Sequence, residues 1–149
     1  MSTQGITDEL VEHVKSMEGW RADAYLCPAG HPTIGYGRRV KSLDVPSITE
    51  AEGEAMLRED LMKFRDKVIE MSPVLKYTSE RRLAAIVDFC YNSGPANYKA
   101  STLKKRIDST EWEEAAKEIQ RWVYGGRPKK KLGGLVRRRE VVAKWLLEG

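Results

Sequence analysis

The sequence predicts an α+β fold that is mostly α, with helices gathered around one small sheet. Three observations predict it. Six segments place apolar residues at helical spacing between capping residues and glycines or prolines. One stretch, Thr33-Ile34-Gly35-Tyr36-Gly37, alternates as a strand instead, with a second arm expected at residues 38–40. The chain is 149 residues long, enough for one unit with a real core and too short for two independent domains.

The first helix is expected over residues 8–17. Leu10, Val11, Val14 and Met17 share its apolar face, Thr7 is placed to cap it, and Gly19 to stop it. Glu18 follows at the helix end. Leu10, Val14 and Glu18 are spaced by four, so the carboxylate projects from the apolar stripe. Partial burial and the negative end of the helix both disfavour its charged form, as a proton donor working near neutral pH requires. A solvated helix-end glutamate is the plainer alternative.

From Gly19 onward the chain reads as turn-rich, broken by Pro28, Gly30 and Pro32. In the strand that follows, Thr33 faces one way and Ile34 and Tyr36 the other. A strand of this kind beside a helix-end carboxylate could form one wall of a cleft, with Cys27 in the turn between them. Arg38, Arg39 and Lys41 belong to the cleft mouth or to a solvated loop.

Residues 48–71 carry the longest helical pattern. Thr49 and Glu52 match a capping box, and Leu57, Leu61, Phe64 and Val68 mark the stripe. The next helix starts at Thr78 or Ser79 and runs to Asn92-Ser93-Gly94-Pro95. Leu83, Ile86, Val87 and Cys90 form its core face, so Cys90 reads as a packing residue. Tyr91 and Asn92, at its end, either reach a cleft or simply pack and cap. A short helix over residues 101–107 follows. Thr110 with Glu113 reads as a second capping box, opening a helix with Trp112, Ala115, Ala116, Ile119 and Val123 inside. Trp122 reads as core, with sugar stacking as the alternative. Residues 125–131, GGRPKKK, form a basic loop. The last helix spans residues 135–147. On its wheel Arg138 and Arg139 fall near the buried face and Arg137 points away.

Glu18-Gly19, Ala24-Tyr25, Gly30 and Thr33 to Gly37 together resemble the signature of the phage-type lysozymes, the endolysin muramidases of glycoside hydrolase family twenty-four. That signature is a glutamate, eight residues, an aspartate or cysteine, five residues, and a threonine, falling here on Glu18, Cys27 and Thr33. The resemblance continues through residues 79–94, Ser101-Thr102-Leu103, Trp122 and residues 134–140, in order and over nearly the whole chain. It implies a lysozyme-like single catalytic domain, residues 1–149. In it a small lobe with a short β-hairpin sheet, about residues 14–60, is joined by the long helix to a helical lobe, about residues 61–149 with the N-terminal helix.

The resemblance also implies hydrolysis of the β-1,4 bond between N-acetylmuramic acid and N-acetylglucosamine in bacterial peptidoglycan, leading to host lysis. Glu18 would be the general acid, and Cys27 and Thr33 would organise the water, an arrangement associated with inversion. Cys27 stands where the commonest form of the motif has aspartate. As thiol it could only hold water; as thiolate it could act as base or nucleophile. Tyr36, Tyr91, Asn92 and Arg137 are the candidate substrate-binding residues. The family pairs an arginine from the last helix with the catalytic glutamate: motif alignment points to Arg137, the wheel to a neighbour, and the pair would oppose the effect of burial on Glu18.

The net charge of +4 suits an anionic partner without choosing among wall polymer, nucleic acid and membrane surface. Lysine and arginine clusters at residues 129–131 and 137–139 favour nucleic acid weakly, and no nucleic-acid motif accompanies them. No apolar run reaches the roughly eighteen residues of a membrane span, so no stable insertion is expected. The first residues lack the basic start and apolar core of an export signal. Without an export signal the protein is expected to accumulate in the cytoplasm, and the resemblance implies that it reaches the wall of its host only after a holin-type pore opens the membrane. Monomer is the default expectation. Two cysteines make no disulfide framework, His13 and His31 have no metal-ligand pattern, and no cofactor is called for. A catalytically degenerate wall-binding module is the competing reading, kept alive by Cys27.

Overall fold

The computed structural model describes residues 2–126 and 128–149. α1 (Asp8–Glu18) starts where expected, with the Leu10 N–H donating to the Thr7 hydroxyl at 3.0 Å. Gly19 ends it at φ 77°, a left-handed conformation that glycine adopts without strain. Glu18 is therefore the last helical residue. Leu10, Val11 and Val14 anchor the helix in the core.

The turn-rich reading after Gly19 is too simple. Residues Arg21–Leu26 form β1, which pairs antiparallel with β2 (Pro32–Gly35), and β2 pairs with β3 (Arg38–Arg39). Tyr25 lies opposite Thr33, and Thr33 opposite Arg39. β1 has no fully buried residue. The residues it turns inward, Ala22, Ala24 and Tyr25, are only half-buried and two of them are alanines, so RADAYL carries a weak apolar alternation. Between β1 and β2 a tight turn runs from Cys27 to His31, closed by Gly30 N–H to the Cys27 carbonyl (2.8 Å) and Cys27 N–H to the His31 carbonyl (3.0 Å).

α2 (Glu50–Met71) carries the expected capping box between Thr49 and Glu52. Its 22 residues span about 33 Å. Its first turns meet the sheet. Gly53 lies under the Trp20 ring with no room for a Cβ, and Arg38 holds Asp60 through Nε and Nη2, both at 2.9 Å. Its later turns put Leu61 and Val68 into the helical core.

A 3-10 turn (Pro73–Tyr77) leads to α3 (Glu80–Ser93), buried from Leu83 to Cys90. The short helices α4 (Pro95–Lys99), α5 (Thr102–Asp108) and α6 (Trp112–Ile119) follow. The second capping box does not form. Thr110 adopts φ 55°, its N–H donates to the Ile107 carbonyl, and the Glu111 N–H donates to the Arg106 carbonyl, both at 2.9 Å. That pair of bonds is a Schellman closure with threonine in glycine's usual place. Thr110 thus ends α5, and Glu111 precedes α6 without a side-chain cap.

The basic loop is in part a hairpin of β4 (Tyr124–Gly125) and β5 (Lys130–Lys131); Arg127, read with that loop, lies outside the described residues. α7 (Gly133–Glu148) buries Val142, Trp145 and Leu146, and with them Arg138 and Arg139. No described helix is long and apolar enough to cross a membrane.

Candidate active site

A cleft of about 810 Å3 is walled on one side by Cys27, Pro28, Ala29, Arg38 and Arg39. The other side is Tyr91 to Pro95 at the end of α3, with Glu18 and Gly37 between. A second cavity of about 620 Å3, lined by Met17, Leu135 and Arg137 among others, adjoins it. Glu18 and Asn92 line both.

Glu18 reaches this junction because α1 ends there. Its Oε2 accepts from Arg138 Nη1 at 2.8 Å. Its Oε1 has no hydrogen bond among the described residues and faces Gly37, where a Cβ would come within 3.0 Å of it. Gly37 also sits at φ 104°, so both space and backbone call for glycine. The side chain is 23% exposed, enough for one oxygen to meet a ligand while the other is held.

The arginine on Glu18 is Arg138, the neighbour the wheel pointed to. Arg137 is exposed and belongs to the second cavity. Arg138 is committed twice. Its Nε and Nη2 reach Asp88 at 3.1 and 2.8 Å, leaving Nη1 for Glu18. Asp88 is fully buried. Burial alone would raise its pKa, but the Arg138 charge and then His13, 3.4 Å away, bring it below the usual carboxylate range. For Arg138 burial acts downward, and Asp88 followed by Glu18 outweighs it, so the guanidinium is held charged. Glu18 thus meets a cation whose charge Asp88 already offsets. Asp88 was not singled out from the sequence; the signal was a lone acid in the apolar run Leu83 to Cys90.

Cys27 sits half-buried on the opposite wall. Its thiol accepts the His31 N–H at 3.4 Å. That amide is the main cause holding its pKa below the ordinary thiol value; the Ala29 amide, the Thr33 hydroxyl and the Arg39 charge act the same way, against a smaller effect of burial. Cys90 is the opposite case, a buried thiol pushed up to about 12 by desolvation.

Thr33 is buried and does not line the cleft. Its hydroxyl donates to the His31 carbonyl at 2.9 Å, which braces the turn carrying Cys27. Tyr36 does not line the cleft either. Burial and its bond to Glu50 (2.6 Å) push its phenol up to about 12, and its ring packs on Trp20. It contributes through its backbone, where its carbonyl accepts from the Tyr91 hydroxyl at 2.9 Å. Tyr91 and Asn92 do line the cleft. Trp122 packs edge-on against Phe89. Asp23, the acid nearest Cys27 in sequence, bonds Ser47 and lies off the cleft. The other carboxylate on the cleft wall is Asp60, occupied by Arg38. Among the described residues no group of three or more His, Cys, Asp or Glu could hold a metal ion.

The phage lysozyme family model matches residues 15–141, which include Glu18, Cys27, Thr33 and Arg138. The chain belongs to the phage lysozyme family. The family is described as one of lysozymes, which are glycoside hydrolases. It is 34% identical over 130 residues to the endolysin of Bacillus phage B103, covering 85% of this chain and 48% of that protein. The chain thus spans about half the length of that relative. It is also 34% identical over 128 residues to the SAR-endolysin of Bacteriophage PS119, covering 84% of this chain and 73% of that protein. The muramidase domain of SpmX from Asticaccaulis excentricus superposes with a TM-score of 0.84 at 28% identity, over 95% of this chain and 97% of that one. The fold is accordingly that of a phage lysozyme.

Proposed function

We propose that this chain is the catalytic unit of an endolysin that hydrolyses the β-1,4 bond between N-acetylmuramic acid and N-acetylglucosamine in peptidoglycan. The observation that carries the reading is Glu18. It stands at the junction of two cavities with one oxygen fixed by Arg138 and the other open. A glycan laid along both cavities places its scissile bond against that open oxygen.

In this mechanism Glu18 gives its proton to the leaving glycosidic oxygen as the bond to the anomeric carbon breaks. Water bonds to that carbon from the opposite side, and Cys27 as thiolate takes the proton it sheds. Thr33 acts with Cys27 to organise the water, as the residue that braces its turn. Among the described residues the cleft offers no unengaged second carboxylate for that task, since Asp60 is paired. Tyr91, Asn92 and Arg137 bind the glycan.

The enzyme is a monomer and a single two-lobed unit with the lobes meeting near residue 60. It needs no cofactor, and it acts on the wall once a holin-type pore gives it passage, bringing about host lysis.

The role of Cys27 has its own test, the pH–rate profile for new reducing ends from purified peptidoglycan. The thiolate fraction grows with pH, and the lowered pKa brings that growth to lower pH than for an ordinary thiol. The wild-type acid limb then includes Cys27 ionisation. Cys27→Ser should lose that limb and about 100-fold in rate. Cys27→Asp should keep much of the activity and move the limb to the carboxylate range, near 4. An unchanged profile in Cys27→Ser contradicts the thiolate role.

A further inference from the structure

Two arginines are buried side by side on α7, and they are partnered differently. Arg138 has Asp88 and Glu18. Arg139, 1% exposed, has no carboxylate partner among the described residues. Its Nε donates to the Trp122 carbonyl at 2.9 Å, and its Nη2 to Asn92 Oδ1 at 2.6 Å and Ser93 Oγ at 2.8 Å. Its Nη1 is buried without a partner, and its charge rests over the Phe89 ring. Burial brings its pKa down to about 10. A cation kept inside at that cost must be holding something, and what it holds is the end of α3, where Asn92 enters the cleft.

A guanidinium only donates, so the Asn92 atom facing Arg139 is the oxygen. The amide is planar, and its Nδ2 is left on the other side, with no hydrogen-bond partner among the described residues. Asn92 shares with Glu18 the junction of the two cavities. At that point the side chain turns its N–H groups outward, while its oxygen is engaged by Arg139. The strongest neutral acceptor on an N-acetylated glycan is the acetamido carbonyl; hydroxyl and ether oxygens accept more weakly.

We propose that Asn92 recognises the acetamido carbonyl of the sugar bound beside Glu18, and that the buried Arg139 is the positioning residue that makes Asn92 a donor there. The proposal rests on the glycan-cleaving reading above and adds a named contact. It explains why a buried arginine with no direct carboxylate partner among the described residues lies behind the cleft, and why an amide rather than a carboxylate meets it. Aspartate at position 92 would satisfy Arg139 better, but would offer the substrate an acceptor against an acceptor.

The two demands make fold and activity move in opposite senses. In Asn92→Asp the carboxylate keeps the bond to Arg139 and pairs its charge. Its Tm should match or exceed that of the wild type, and its KM for N-acetylated glycan strands should rise about tenfold or more, with a smaller change in kcat. On chemically de-N-acetylated strands the ratio of wild type to variant should fall below about threefold; where those strands are not cut, the same ratio is read from their inhibition constants. Activity kept within about threefold on N-acetylated strands overturns the proposal. So does a loss that tracks a fall in Tm, and so does an equal loss on both substrates. If Asn92→Asp does not fold, Asn92→Ser, which lacks the amide donor, carries the same two-substrate comparison. Cleavage by Glu18→Gln, or none by the wild type, would instead remove the reading beneath the proposal. Cleavage lost in Glu18→Gln with an unselective Asn92→Asp removes this proposal alone.

Discussion

Glu18→Gln is expected to lower kcat for peptidoglycan cleavage by about a thousandfold while leaving the protein folded. Glutamine has the same shape and can still accept from Arg138 Nη1, which now lies 2.8 Å from Glu18 Oε2. What it lacks is a proton to give. Among the described residues no other carboxylate on the cleft is free to take over. Asp60 is tied to Arg38, and Asp23 is off the cleft. Binding should survive, so KM should change little and a glycan should still protect the variant against heat. Reducing-end release against time, with Tm as the control for folding, reads the effect. A variant within tenfold of wild type rejects Glu18 as the proton donor.

The second large effect falls on stability. Asp88→Asn removes the charge that offsets Arg138 within a fully buried pair. Arg138 then keeps only Glu18, which is partly exposed, and His13 loses the carboxylate it faces. Breaking one side of a buried ion pair costs about 3–5 kcal/mol, a fall in Tm of roughly 10 °C for a chain of this size. The pH dependence has a definite sign. The folded pKa of Asp88 is lowered, so its contribution is fully present above the unfolded value near 4 and is lost as pH falls through the folded value. The gap between wild type and variant should therefore be widest near neutral pH and narrow below about pH 4. Thermal unfolding at a series of pH values reads both features. A gap under about 1 kcal/mol at pH 7 would mean that the pair is not what holds this corner of the molecule.

Glu18 was legible because it breaks a rule, a carboxylate on the apolar stripe of its own helix just before a glycine stop. The family's spacing from Glu18 to Cys27 and Thr33 marked the stretch, but it did not show that Thr33 is buried off the cleft wall with its hydroxyl on the His31 carbonyl. Helices showed wherever their stripes and caps agreed, as with Thr49 and Glu52. β1 did not show, because the residues it turns inward, two alanines and Tyr25, are only half-buried and give a weak alternation. Thr110 misled because the same residue type that caps a helix start closed the previous helix in a left-handed turn. The charged network was hidden for a different reason. Asp88 and Arg138 are fifty positions apart, and each satisfies the other only after α3 and α7 pack. Periodicity places a side chain on a face and carries no information about which partner waits there.

The most direct measurement is the chemistry of the cut ends. Purified peptidoglycan digested in water enriched in oxygen-18 should yield new reducing ends of N-acetylmuramic acid, each carrying one heavy oxygen at the anomeric carbon, and Glu18→Gln should yield none. Ends on N-acetylglucosamine, ends closed into an anhydro ring without solvent oxygen, or equal yields from both proteins would contradict the account.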